Sequence, residues 1–338
     1  MPERKILTNI SSTAWEHPAD KAALQTLRSI PGFDELVRKV MGFLGERGVR
    51  LFFTANAVRV GPRQRPKLDG LYTDVLRTLD WQERPELFIS QTPVANAMAV
   101  GFQRPFIVLN SGALGILDQE ERRVLLGHEL GHIMSGHATY TTIALIILRI
   151  GMSNIPGLGL ITLPIQLALL EWYRKAEFSA DRAGLLASQD PLATMRMYLK
   201  FAGGNATDDE SSLDEFMVQA SEYETGGNAL DGLFKLLNVA FATHPFSTVR
   251  AAELQRWIKN GEYDRIVGGE YPRRGEDDQR PLSEDYAAAA SYYGEQTKGA
   301  MDQVTDVWNR ARDAFSGAFR GPGRTGDTGT GGGSDSTT

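Results

Sequence analysis

Apolar side chains recur every three or four residues from Asp20 to Ile30, again from Phe33 to Gly48, and a third time from Lys67 to Leu79. That period belongs to amphipathic helices, and the Pro31-Gly32 pair separates the first two. The pattern then changes. Three short runs, "ELFIS" from Glu86, "AMAVGF" from Ala97 and "FIVLN" from Phe106, are rich in strand-forming residues and read as a small meander. The helical period returns at Asp118, where Glu121 three residues on makes a capping-box start. The helix opened there carries "RRVLLGHELGHIMSGH".

Downstream, Thr141 to Leu170 is strongly apolar and interrupted by Arg149, Pro156 and Pro164. A long helical pattern, "QLALLEWYRKAEFSADRAGLLAS", follows to about Ser188. Further helices are expected over Pro191 to Phe201, Asn228 to Phe241 and the run "TVRAAELQRWIKN" after His244. A charged linker is expected from Gly261 to Pro281. Ser283 then opens a helical stripe with Met301, Val304, Trp308, Ala311 and Phe315 on one side. The reading is a mostly helical α+β chain in four parts: a helical region over 1–82, a catalytic domain over 83–260, a linker and amphipathic helix over 261–319, and a Gly/Ser/Thr-rich tail over 320–338.

Composition narrows the chemistry. The net charge of -6 and the lack of a basic, aromatic-studded patch set nucleic acid aside as a partner. The chain has no cysteine, so a transition metal must be held by His, Asp or Glu. The first twenty residues contain no continuous apolar run, which points to a cytoplasmic address over a secreted one.

Three of the five histidines fall within "HELGHIMSGH". His128 and His132 are one helical turn apart and project from the same face, close enough to bind one ion. Glu129, one position round, suits a general base acting on metal-bound water. Gly127 and Gly131 are costly inside a helix unless another segment must approach its backbone. His137 falls nine residues after His128, one short of the ten in HExxHxxGxxH, so it is read as capping or packing at the helix end, with a ligand role as the alternative. In "EFSAD", Glu177 and Asp181 are four apart and share a helix face. Glu177 is the candidate third ligand, with Glu171 as fallback, and Asp181 the acceptor for a ligand histidine's spare N–H. Two histidines, a glutamate and a water make an open site of the kind that holds catalytic zinc, here one ion per chain.

"HELGH" and "EFSAD", preceded by "NAMAVG" and followed by "THPFSTVR", resemble the gluzincin peptidases of metallopeptidase family forty-eight, which include HtpX-like and CAAX prenyl proteases. The resemblance spans about Pro85 to Arg250. It implies a zincin-type catalytic domain with a small edge sheet that cleaves polypeptides through zinc, with His128, His132 and Glu177 as ligands, Glu129 as base and Asp181 behind a ligand. It further implies Asn96 and Ala97 at the strand to which a peptide substrate adds, and His244 and Arg250 as donors to the developing oxyanion. HtpX-like members begin with membrane spans, and no such span is expected at the start of this chain. A quality-control endopeptidase is the expected function, with a zinc-containing chaperone or adaptor as the alternative; an aminopeptidase lacks a visible anchor for the substrate amine.

The zinc reading constrains the apolar segment. Ile150 to Leu170 holds no charged residue and reaches the ~20 residues needed to cross a bilayer. One crossing would put Glu177 on the opposite side from His128 and His132, and two do not fit the length. Residues 141–170 are therefore expected as a non-spanning apolar hairpin that packs as core or rests peripherally on a membrane surface.

Overall fold

Four short strands form the middle of the fold: β1 (Ala57–Arg59), β2 (Leu87–Ser90), β3 (Ala97–Val100) and β4 (Phe106–Asn110). The computed structural model describes residues 4–30, 32–150, 163–203, 211–225 and 246–276. The strands pair in the order β1-β2-β4-β3, with β2 and β4 parallel and the outer pairs antiparallel. The three expected strands are thus present, but they are not a meander, and β1 joins them unannounced. After β2 the chain does not turn back beside it but leaves the neighbouring position for β4. The Thr92 N–H donates to Ser111 Oγ and that hydroxyl donates back to the Thr92 carbonyl, pinning the connection beyond the end of β4. β3 therefore descends on the far side of β4 and becomes an edge.

Both faces of this sheet are covered, and strand alternation sorts its side chains between two cores. Leu87, Ile89, Ala97, Ala99, Ile107 and Leu109 enter one core; Phe88, Met98, Val100, Phe106 and Val108 enter the other. The first core is closed by α3 (Pro66–Thr78), α5 (Gln119–Met134), the second half of α7 (Leu163–Ser188), α8 (Pro191–Ala202), α10 (Ser247–Lys259) and α11 (Glu262–Gly268). The second is closed by α1 (Pro18–Ser29), α2 (Phe33–Thr54), α6 (Ala138–Ile150) and the first half of α7. Ala113 of α4 (Ser111–Ile116) and Phe216 of α9 (Leu213–Thr225) also enter the first core. The described chain is mostly helical around one small mixed sheet.

α2 continues past Gly48 to Thr54, bending at Gly45, whose φ of 61° interrupts the helical run. Part of the expected linker is ordered, because Tyr263 and Ile266, three apart on α11, are both buried in the first core. Beyond it Arg273 pairs with Ile10. Within the apolar segment, Ile143, Ala144, Ile146 and Ile147 of α6 pack with Trp172 and Tyr173 of α7 beneath the sheet. Among the described residues, no helix is long and apolar enough to cross a membrane. The expected helices over Asn228 to Phe241 and after Ser283, the tail, and His244 lie outside the described residues.

Candidate metal centre

The site begins with two helices that touch backbone to backbone. A Cβ added at Gly127 would lie 2.3 Å from the Ala187 Cβ, and one at Gly131 would lie 2.5 Å from that of Ala183. The helix-interior glycines of α5 are thus the places where α7 presses in. α5 is held at its start by the capping box: Asp118 accepts from the Glu120 and Glu121 N–H groups at 2.9 Å each, and Glu121 accepts from Asp118 N–H at 2.8 Å. This close crossing puts Glu177 of α7 against the histidine face of α5. His132 Nε2 stands 3.3 Å from Glu177 Oε1, and His128 Nε2 stands 3.6 Å from Glu177 Oε2. One ligand atom from each of these three buried residues lies within 4.8 Å of the others. Two neutral-capable imidazoles and a carboxylate at that spacing are a donor set able to hold a divalent metal.

Behind His128, Asp181 Oδ1 is 2.9 Å from His128 Nδ1. Asp181 also accepts from Arg250 of α10, at 2.9 Å from Nε and through a second bond from Nη2. Arg250 Nη1 lies 3.3 Å from Glu177 Oε2, so one guanidinium braces both carboxylates. Burial works to raise the Asp181 carboxyl, but the charge and hydrogen bonds of Arg250 and the bond from His128 hold it below its ordinary range. Burial likewise works to lower His128, and the hydrogen bond to Asp181 with the charge of Glu177 turns the balance upward.

His132 is backed differently. α5 ends in a turn in which Gly136 takes φ +71° and its N–H donates to the Ile133 carbonyl at 3.0 Å, while the His137 N–H donates to the His132 carbonyl at 2.9 Å. These are the paired bonds of a Schellman cap, and they fold His137 back beside His132. The two Nδ1 atoms are 3.1 Å apart, and His137 Nε2 is 3.0 Å from Asp20 Oδ2 on α1. Against burial, the Asp20 carboxyl is lowered and the His137 imidazole raised, each chiefly by the other. Among the described residues no carboxylate backs His132 directly, and burial first, with the nearby His128 and His137 charges, pushes it down to about 4 despite its bond to Glu177.

Glu129 lies between the histidines. Burial, with the Glu177 charge adding to it, pushes its carboxyl up to about 7 against the opposing charges of His128 and Arg250. The Ala99 backbone hydrogen-bonds to this carboxylate, while the buried Oε2 has no hydrogen-bond partner among the described residues. The Asn110 N–H donates to the Asn96 carbonyl, so the antiparallel alternation turns the backbone of Asn96 toward β4 and that of Ala97 and Ala99 outward. Ala97, Ala99, Glu129, Tyr173 and Glu177 line a cavity of about 10 Å³, room for roughly one water.

The structure therefore gathers His128, Glu129, His132, Glu177, Asp181 and Arg250, with Asn96 and Ala97 at the rim of the cavity. Glu171 is not among them; its side chain is 41% exposed and paired with Arg174 and Lys175. Sequence reasoning missed Tyr173, although it precedes Glu177 by one turn on the same face, and missed Asp20 altogether.

Comparison with known proteins agrees with this geometry. The profile of Peptidase family M48 matches residues 62–258, more than half of the chain. The chain is 31% identical over 267 residues to the plastoglobule-localized metallopeptidase 48, chloroplastic, of Arabidopsis thaliana, covering 78% of this chain and 77% of that protein. It is 28% identical over 222 residues to a protease HtpX homolog of Pseudarthrobacter chlorophenolicus, covering 59% and 75%. A second HtpX homolog, from Polynucleobacter necessarius, is 25% identical over 232 residues, covering 62% and 79%. No solved structure matches the chain significantly. With the family match spanning the histidine helix, Glu177 and Arg250, the chain belongs to peptidase family M48 and is a metallopeptidase whose substrates are polypeptides.

Proposed function

We propose that this metallopeptidase is a zinc endopeptidase of zincin type, in which His128, His132 and Glu177 hold one zinc ion per chain and Glu129 is the general base. The observation that carries the reading is the convergence of two imidazole nitrogens and one carboxylate oxygen within 4.8 Å, next to a buried carboxylate oxygen without a hydrogen-bond partner among the described residues. Zinc suits a three-ligand nitrogen and oxygen set that leaves a position open, and when bound it supplies the Lewis acidity that activates water and polarises a carbonyl. Glu129 takes the water proton and later hands it to the leaving amine. Its place beside the ligand pair, with one buried oxygen unengaged among the described residues, suits both duties.

The outward backbone groups of Ala97 and Ala99 suit pairing with an extended peptide led in by Asn96. Arg250, whose guanidinium is engaged by Asp181 and Glu177, suits holding those carboxylates better than reaching an oxyanion. His244 is proposed on sequence grounds as the oxyanion donor. The catalytic domain is taken as 83–260, and protein quality control as the biological setting. Peripheral contact of 141–170 with a membrane surface is proposed alongside its core packing.

Digestion of casein with and without a chelator, together with the Glu129→Gln variant, tests the reading. The variant is expected to keep near-stoichiometric zinc and to lose nearly all hydrolysis. Normal cleavage by that variant would require a different base, and absence of casein hydrolysis by the zinc-loaded parent would leave the alternative, a zinc-containing chaperone or adaptor.

A further inference from the structure

We propose that Asp20, on the N-terminal helix and outside the family-matched residues 62–258, is a positioning residue for the metal centre that acts on His132 through His137. The inference rests on His132 being a ligand through Nε2, which faces Glu177. A histidine that gives Nε2 to a metal carries its ring proton on Nδ1, and that proton needs an acceptor. Among the described residues, His137 Nδ1 is the neighbour within reach, 3.1 Å away. His137 can accept there only if its own proton sits on Nε2, where Asp20 Oδ2 lies 3.0 Å away to receive it. Asp20 thus selects the tautomer of His137, and His137 fixes the tautomer and ring plane of His132.

The carboxylate is built for this duty. It is buried, with 2% of its surface exposed. Oδ1 accepts from Trp172 Nε1 at 3.0 Å, and Oδ2 accepts from Ser179 Oγ at 2.6 Å as well as from His137. Both of those donors are on α7, the helix that carries Glu177. α1 is nailed in place one turn earlier, where the His17 N–H donates to Ser179 Oγ at 2.8 Å and His17 Nε2 meets Glu253 Oε1 of α10 at 3.1 Å. The His137 ring is held edge-on against Trp172, with centroids 5.7 Å apart. A carboxylate that only stabilised α1 would not need to be aligned with the back of a ligand histidine.

The test is zinc affinity of the metal-stripped protein, measured by competition with a chromophoric chelator, for Asp20→Asn, His137→Phe, His137→Asn and the double variant Asp20→Asn/His137→Phe. Asp20→Asn and His137→Phe are each expected to weaken zinc binding by roughly 10–100-fold, the usual scale for losing an outer partner of a metal ligand. His137→Asn, whose amide oxygen can stand where Nδ1 stood, should recover part of the loss. The visible absorption of the cobalt-substituted protein should shift in the same variants. The double variant should bind no more weakly than His137→Phe alone, because Asp20 acts through that ring. Parent-like affinity in Asp20→Asn or in His137→Phe, or additive losses in the double variant, would overturn the proposal, and Asp20→Ser takes the place of Asp20→Asn in both tests should the latter fail to fold. His132→Ala serves as the separate control. If it retains zinc, the ligand reading itself fails; if it loses zinc while the His137 variants keep theirs, only the relay fails.

Discussion

His128 and His132 are one turn apart on one helix, yet what stands behind them differs in kind. His128 is backed directly by a carboxylate, Asp181, which is locked by the Arg250 guanidinium. His132 is backed by a second imidazole, and a carboxylate enters only one step further out, from α1. In the metal-free protein the hydrogen bond to Asp181 turns His128 upward against burial, whereas burial pushes His132 down to about 4. The His128 side is assembled from α5, α7 and α10 within the family-matched residues. The His132 side recruits a helix outside them, so the two ligands tie the centre to different parts of the fold.

The variant with the largest expected effect removes the comparison altogether. Gly131→Val would drive a branched side chain into the space of Ala183, which a Cβ alone already reaches at 2.5 Å, and would force α5 away from α7. Both histidines then leave Glu177 together. Loss of stoichiometric metal and a destabilisation of roughly 3 kcal/mol or more are expected from metal analysis and denaturant unfolding.

Next comes the His128 side alone. Asp181→Ala leaves the buried Arg250 charge without its two-point partner, a change that typically costs roughly 3–5 kcal/mol. Unfolding of the metal-free protein should show that loss. If Asp181→Ala proved milder than Asp20→Asn, the direct backing would not be the stronger of the two.

Glu129, between the two ligands, separates burial from backing. In the metal-free protein burial raises its carboxyl to about 7 from an ordinary 4.5. A carboxyl raised in the folded state destabilises the fold as pH rises: the cost is absent below the unfolded value, grows between about 4.5 and 7, and is complete above 7. Glu129→Gln should therefore gain stability relative to the parent on going from pH 4 to pH 8, by about 3 kcal/mol at 1.36 kcal/mol per unit. Urea unfolding at the two pH values in the presence of chelator measures it, and a pH-independent difference would mean the carboxyl is not raised. Smallest is Trp172→Phe, which removes the N–H to Asp20 and trims a fully buried ring. A loss of roughly 2 kcal/mol is expected from thermal unfolding, with little change in zinc affinity.

Much of the centre was legible because it is local. The 3.6-residue period alone puts His128 and His132 on one face with Glu129 beside them, and puts Glu177 and Asp181 on one face of another helix. The capping box at Asp118 and Glu121 and the apolar halves of the strands were readable for the same reason. The cost of Gly127 and Gly131 in a helix announced a close neighbour, though not which one. Near neighbours in sequence keep their geometry in almost any surrounding, so their spacing carries the information.

What only the tertiary structure decided are the meetings of distant segments. The order β1-β2-β4-β3 follows from where the loop after β2 is pinned, and no alternation pattern records that. The sequence reads His137 as a cap or packing residue at the helix end; only the turn at Gly136 shows that it folds behind His132. Asp20 carried no motif, and its place 117 residues before His137 in the chain is bridged only because α1 packs on α7. Such contacts depend on which surfaces find each other when the two cores close, and their free energy is spread over many apolar side chains rather than written in the polar residues they bring together.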